Sequence, residues 1–342
     1  MRRERQSARL GCLLSFLLAL YSLWVPSSLA QPAVGTTLVV ITGIGGEARF
    51  TERFHTWAAT LMDAASDRYG FPEDRIVYLA ADPERDPDRT RARSSREQVQ
   101  AVLRDLASTM PDDAPLFVVV LGHGSFRDGV SKVNLPGPDM TAEDFAQALA
   151  AFGERPIVFA NLTSASGGVL SHLSAPGRVV ITSTRSGTER NASQFAQYFV
   201  AAFVGADADA DKDERLSVLE AFRYARTEVG RAYDREQKLL TEHAVLDDNG
   251  DGRGSVDPAP DGEDGRLAAT LTLQGTARKG PAGEVSDPEL ARLYDRKASL
   301  EQKVAELRQR KSSLEREAYE NKLEEILIEL ALVNRAIREA EG

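Results

Sequence analysis

A single cysteine, Cys12, stands in this chain of 342 residues. It falls in an N-terminal stretch that reads as an export leader: Arg2, Arg3, Arg5 and Arg9, an apolar run from Leu10 to Val25, then Pro26-Ser-Ser-Leu-Ala30 before Gln31. Cleavage after Ala30 leaves 342 − 30 = 312 residues without a thiol, which excludes disulfides and any cysteine nucleophile from the mature protein. No apolar lipobox precedes Cys12, so it is not read as a lipidated residue. A long apolar run is missing too. The leader's run is shorter than the ~20 residues that a bilayer span needs, so no integral membrane span is expected after cleavage; an uncleaved signal anchor is the alternative. Excess positive charge is the third absence. The formal net charge is −10, and the leader's four Arg and one Glu carry +3, so the mature chain carries −10 − 3 = −13. Nucleic acid is thereby excluded as an expected partner, because phosphate binding is driven by clustered Lys and Arg. The expected location is secreted or periplasmic.

What is present is an ordinary globular balance, 42% hydrophobic and 27% charged, enough for one domain of usual size and a smaller appendage. From Thr36 onward, apolar strand-like runs alternate with amphipathic helices. Strands are expected at 37–42, 75–80, 116–121, 156–161 and 178–183. Helices are expected at 52–69, 94–106 (with Ser94 or Ser95 as cap) and 141–152 (opened by Thr141-x-x-Asp144), then from 191 to 199 and from 217 to about 240. Such alternation predicts an α/β three-layer sandwich: a mainly parallel sheet with helices on both faces. Residues 247–266, rich in Gly, Asp and Pro, read as an irregular or flexible loop, and 267–274 as a last strand. The domain is placed at 36–275 with an acidic insert at 207–258, followed by a linker at 276–286.

The tail at 287–341 has another grammar. Leu293, Leu300, Leu307 and Leu314 recur every seven residues, and Tyr319, Leu323, Ile326, Leu330, Val333 and Ile337 follow a 4-3-4-3-4 spacing. The two sets are out of phase across Lys311-Ser-Ser313, which fits either a helical hairpin or an interrupted coiled coil. Self-association through this tail is one expectation; an unidentified protein or peptide partner is another.

Two strand ends carry the candidate chemistry. Leu116–Leu121 runs into Gly122-His123-Gly124-Ser125, and Pro156–Asn161 into Thr163-Ser164-Ala165-Ser166-Gly167-Gly168. The carboxyl ends of parallel strands are where ligands bind in open α/β sheets. This order of strands and motifs resembles caspase-like cysteine peptidases, particularly the legumain and metacaspase branches, in which a strand ending in His-Gly precedes a strand ending in Cys-x-Ser-Gly. Ser164 stands where that cysteine would be. The resemblance spans about residues 36–275 and implies a caspase-like fold, a catalytic pair at His123 and Ser164, and an oxyanion hole from the Gly124 and Ser164 N–H groups. It also implies that Ser166 is the non-catalytic serine, although a one-step shift would make it the nucleophile. By the same resemblance the loop after 183 shapes the substrate pocket, where Arg185 binds a carboxylate bidentately or instead forms a surface salt bridge.

A thiol with reference pKa about 8.5 is easily held as thiolate beside a histidine, whereas a serine hydroxyl must lose its proton during attack and normally needs an acid-oriented base. Two expectations follow: a catalytically degenerate homologue acting in binding or scaffolding, or a serine-dependent hydrolase using His123 and Ser164.

Calcium is the expected cofactor. Asp209-x-Asp211-x-Asp213-x-Arg215-x-Ser217-x-x-Glu220 offers oxygen ligands at EF-hand loop positions 1, 3, 5, 7 (a backbone carbonyl), 9 and 12. Glu214 replaces the glycine of position 6. A second cluster, Asp247, Asn249 and Asp251, has that glycine at Gly252 but Pro258 at position 12. Gly43-Ile-Gly45-Gly46 fits neither dinucleotide nor phosphate-loop spacing and has no lysine. His55, His172 and His243 show no ligand spacing.

Overall fold

The structure, a computed structural model, describes residues 35–191, 193–212, 215–273, scattered positions between 292 and 307, and 316–341. The leader, the linker 276–286 and Asp213 of the acidic loop lie outside the described residues. No helix among the described residues is long and apolar enough to cross a membrane.

A seven-stranded sheet forms the centre. In chain order its strands are β1 (Thr37–Thr42), β2 (Ile76–Ala80), β3 (Thr90–Arg93), β4 (Leu116–Leu121), then, after the small sheet below, β8 (Ile157–Asn161), β9 (Arg178–Thr182) and β10 (Val245–Asp247). Their spatial order is β10-β9-β8-β4-β1-β2-β3, and only β10 runs antiparallel to its neighbour. Period-2 alternation sends successive side chains to opposite faces. Leu38, Val40, Phe117, Val119 and Leu121 face α1 (Ala48–Asp67), α5 (Phe195–Val204) and α6 (Val218–Arg235). Val39, Ile41, Val118 and Val120 face α2 (Arg96–Thr109), α3 (Ala142–Ala150) and the one-turn α4 (Leu170–Leu173). Because both faces are covered, β1 and β4 are buried along their whole lengths, and their sequences are continuous apolar runs.

Local chemistry fixes the helix starts. Thr141 and Asp144 form a reciprocal capping box at α3, and Ser217 and Glu220 form another at α6. Ser95 accepts the Gln98 N–H at α2, while the Ser94 hydroxyl turns inward to donate to the Thr42 carbonyl.

Several expectations are corrected. Residues 267–273, the described part of the expected last strand, do not form one, and residue 274 lies outside the described residues. The Asp248 carboxylate accepts the Gly265 and Ala268 N–H groups and holds a turn there, so that only Thr272 bridges, to Ser217. Helix α5 begins at Phe195 rather than 191, because the buried Glu242 carboxylate accepts the Gln194 and Phe195 N–H groups and fixes the first turn at that point. A second sheet was not expected: β5 (Gly124–Arg127), β6 (Val130–Val133) and β7 (Met140–Thr141). Asp128 and Gly129 both have positive φ, 52° and 78°, as a two-residue hairpin turn requires. Strand β3 was also missed, since Thr90-Arg-Ala-Arg93 sits at a sheet edge with Arg91 and Arg93 outward.

In the tail, α7 (Arg316–Glu341) buries Val333 and Ile337 against Leu300, with Leu293, Ile326 and Leu330 packed alongside. Arg296 pairs with Glu329. Leu327, Ile328 and Leu332 stay exposed.

Candidate functional site

Strand order reverses between β1 and β4: the chain proceeds from β1 to β2 and β3 on one side, and from β4 to β8 and β9 on the other. Their carboxyl ends meet at glycines. A Cβ on Gly122 would lie 3.2 Å from Gly43 Cα, and one on Gly43 would lie 2.6 Å from the Asn134 carbonyl oxygen. Such a switch point is the ligand-binding end of an open α/β sheet.

His123 follows β4 and Ser164 follows β8, and the two strands pair in parallel register from Leu116↔Ile157 to Val120↔Asn161. Sequence-distant residues thus arrive on neighbouring strand ends. The backbone there is tightly drawn: a Cβ on Gly124 would come within 2.3 Å of the Ser164 carbonyl oxygen and 2.6 Å of Thr163 Oγ1. Ala165, a non-glycine residue at φ 52°, makes the sharp left-handed turn that follows Ser164. That turn is pinned by the Ala165 N–H on the Glu189 carbonyl, and by the Ser131 hydroxyl on the Ala165 carbonyl.

The Ser164 side chain is 5% exposed in its residue and bonds to backbone. Its Oγ accepts the Gly124 N–H at 3.3 Å and donates to the Gly124 carbonyl at 3.3 Å. The N–H that the resemblance assigns to an oxyanion hole is therefore occupied by the serine's own hydroxyl. His123 turns to other partners. Its ring stands edge-on to Phe50 at 4.7 Å and to Phe54 at 5.1 Å, both on α1. Among the described residues, neither of its nitrogens hydrogen-bonds another side chain. Burial lowers its pKa below the ordinary histidine value; a contact to the Gly45 backbone and the charge of Glu47 act in the opposite sense but more weakly. Burial thus favours the neutral imidazole.

Ser166 is a structural residue here. Its hydroxyl lies 3.3 Å from Thr184 Oγ1, which also accepts the Gly167 N–H at 2.9 Å, tying the β8 loop to the β9 loop. Arg185 is largely exposed and stands 3.9 Å from the Glu189 carboxylate. That carboxylate also accepts the Arg185 and His243 N–H groups and meets His243 Nδ1 at 3.0 Å. The Glu189–His243 pair borders the Ser164 loop through the Glu189 carbonyl. Sequence reasoning passed over it, since 54 residues separate the two and neither sits in a motif. Asn134 Oδ1 and Ser183 Oγ, at the same end of the sheet, are buried without hydrogen-bond partners among the described residues.

No protein-family model and no curated protein matches the chain. Among solved structures, one described as "structure of pro-sf-caspase-1" is similar at a TM-score of 0.36 and 11% identity, over 58% of this chain and 82% of that one.

In the acidic loop, Asp209, Asp211 and Glu220 bring one ligand atom each within 4.8 Å of one another. Glu220 already has partners. Its Oε1 accepts the Ala210 and Asp211 N–H groups, and its Oε2 accepts the Ser217 N–H and hydroxyl. Four donors fill the four lone-pair directions of a carboxylate. Ser217 likewise serves as helix cap. The position-12 glutamate thus closes the loop by hydrogen bonds, and a cation would share or displace them.

Proposed function

We propose that the chain is an exported homologue of caspase-like peptidases, of the legumain and metacaspase kind, that has lost peptidase chemistry and acts in binding or scaffolding. The observation that carries this reading is the separate anchoring of the pair: the Ser164 hydroxyl is held by the Gly124 backbone, and the His123 ring is held by Phe50 and Phe54. With no base hydrogen-bonded to it among the described residues, the Ser164 hydroxyl is a poor nucleophile. Calcium bound by the 209–220 loop is part of the proposal, supported by the convergence of Asp209, Asp211 and Glu220. The partner is a protein or peptide, or a second copy meeting the exposed Leu327, Ile328 and Leu332 of α7.

A serine hydrolase using His123 and Ser164 is the competing reading, favoured by the adjacency of their strands and by burial that lowers the His123 pKa. Fluorophosphonate labelling of the folded protein, with the modified residue mapped by mass spectrometry, separates the two. The proposal expects Ser164 to remain unlabelled; stoichiometric labelling of Ser164 that vanishes in His123→Ala establishes the hydrolase instead.

A further inference from the structure

A second acidic loop has features that the catalytic reading does not use. Asp247 ends β10, opposite Val180 of β9, and is fully buried. Its Oδ1 accepts the Gly250 N–H at 3.2 Å, but its Oδ2 is buried with no hydrogen-bond partner among the described residues. The two oxygens share one carbon, so the unpartnered one stays close to the turn at Gly250 that Oδ1 holds. A buried carboxylate oxygen without a partner is costly, and such groups are ordinarily paired with donors or with metal ions.

The surroundings add negative charge. Asn249 and Asp251 follow at alternate positions, and each uses a side-chain oxygen to accept a loop N–H, of Asp251 and Arg253 respectively, at 2.8 Å. Gly250 and Gly252 adopt φ of 83° and 76°, which lets the chain wind around this point. Asp264 approaches from outside the loop. It is 4% exposed, and its Oδ1 accepts the Asp248 N–H at 3.2 Å. Asp248 is committed elsewhere, to the Gly265 and Ala268 N–H groups.

We propose that this pocket binds one calcium ion, with Asp247 Oδ2, Asn249 Oδ1 and an Asp251 carboxylate oxygen as loop ligands. Asp264 supplies the further carboxylate through a bridging water, in place of the glutamate that position 12 lacks. An all-oxygen donor set of carboxylates and an amide suits a hard cation and offers no nitrogen or sulfur to zinc. The ion would clip the antiparallel edge strand β10 to the turn at 264–268. The site is distinct from the 209–220 loop, and its test does not depend on the catalytic reading.

The test is calcium titration of the full chain, chelator-treated beforehand, by calorimetry and by thermal unfolding, on the wild type and on Asp247→Asn, Asp251→Asn and Asp211→Asn. The wild type is expected to bind calcium with a rise in melting temperature. Asp251→Asn and Asp247→Asn should each weaken one binding event by at least ~10-fold, since even residues that only support metal ligands contribute 10–100-fold in affinity. Asp211→Asn should leave that event in place. In chelator, Asp247→Asn should melt no lower than wild type, because it removes an uncompensated buried charge, so the sign of its effect reverses with calcium. Loss of the event in Asp211→Asn but not in Asp251→Asn, or no calcium binding by the wild type at millimolar calcium, would overturn the proposal. If Asp247→Asn does not fold, Asp251→Asn, at an exposed position, decides alone.

Discussion

Replacing Ser164 by cysteine restores the thiol that caspase-like peptidases use, and makes the local geometry measurable. In a background carrying Cys12→Ser, the new thiol is the only one in the chain. A free thiol titrates near a pKa of about 8.5, which leaves about 3% thiolate at pH 7. Burial raises that value, and the site at 164 is 5% exposed. Pairing with an imidazole would lower it to ~3.5–7.5, giving from about a quarter to nearly all thiolate at pH 7, a difference of ~8-fold or more. His123 packs against Phe50 and Phe54, and burial disfavours its charged form, so no such pairing is expected. Alkylation by iodoacetamide, followed by intact mass from pH 5 to 10, should therefore show a midpoint at or above about 8.5, unchanged by a further His123→Ala. The midpoint reports thiolate formation whatever the absolute rate, so a slow buried thiol remains informative. A midpoint below 7.5 that moves upward with His123→Ala refutes the separate anchoring of the two side chains.

Gly124→Ala should destabilise the protein by about 1–3 kcal/mol or more, because its Cβ would come within 2.3 Å of the Ser164 carbonyl; an unchanged urea midpoint contradicts that packing. His123 should titrate below 6.5 by NMR. Since the unfolded chain binds that proton first, the stability linked to the neutral ring is complete above pH 6.5 and declines as pH falls below it; a native pKa at or above 6.5 contradicts the burial. Glu242→Ala should cost about 1–3 kcal/mol for each of the N–H groups of Gln194 and Phe195 left unsatisfied, and Glu242→Gln, which keeps one acceptor, should cost less. Burial raises the Glu242 pKa, so stability linked to its protonation is present at low pH and lost as pH rises through the native value. Glu242→Gln should abolish that slope, and an identical pH profile for the two proteins argues against the shift.

The sheet was legible because its central strands are buried on both faces and read as unbroken apolar runs, as in Leu116-Phe-Val-Val-Val-Leu121. Edges were harder. Strand β3 is half arginine, and β10 is three residues long and ends on an aspartate, so neither bears an apolar run. The β5–β6 hairpin did leave a signal in Asp128-Gly129, a pair suited to a two-residue turn. Strand placement located His123 and Ser164 on adjacent ends, since parallel strands separated by one crossover neighbour each other. The direction of each side chain was not legible. It is decided by Phe50 and Phe54, which arrive from α1, and by the Gly124 backbone, which approaches closely only because glycine has no Cβ. The acidic loop shows the same limit: spacing placed Glu220 at position 12, while the fold gave its oxygens four backbone and hydroxyl donors.

Hydrolysis itself is the most direct test of the central claim that base and hydroxyl do not act together. Purified protein should be assayed on diverse peptide and ester libraries, with calcium and with chelator, beside His123→Ala and Ser164→Ala. The account predicts no turnover above the level shared by all three proteins. Turnover by the wild type that disappears in both variants, with all three folded, would contradict it.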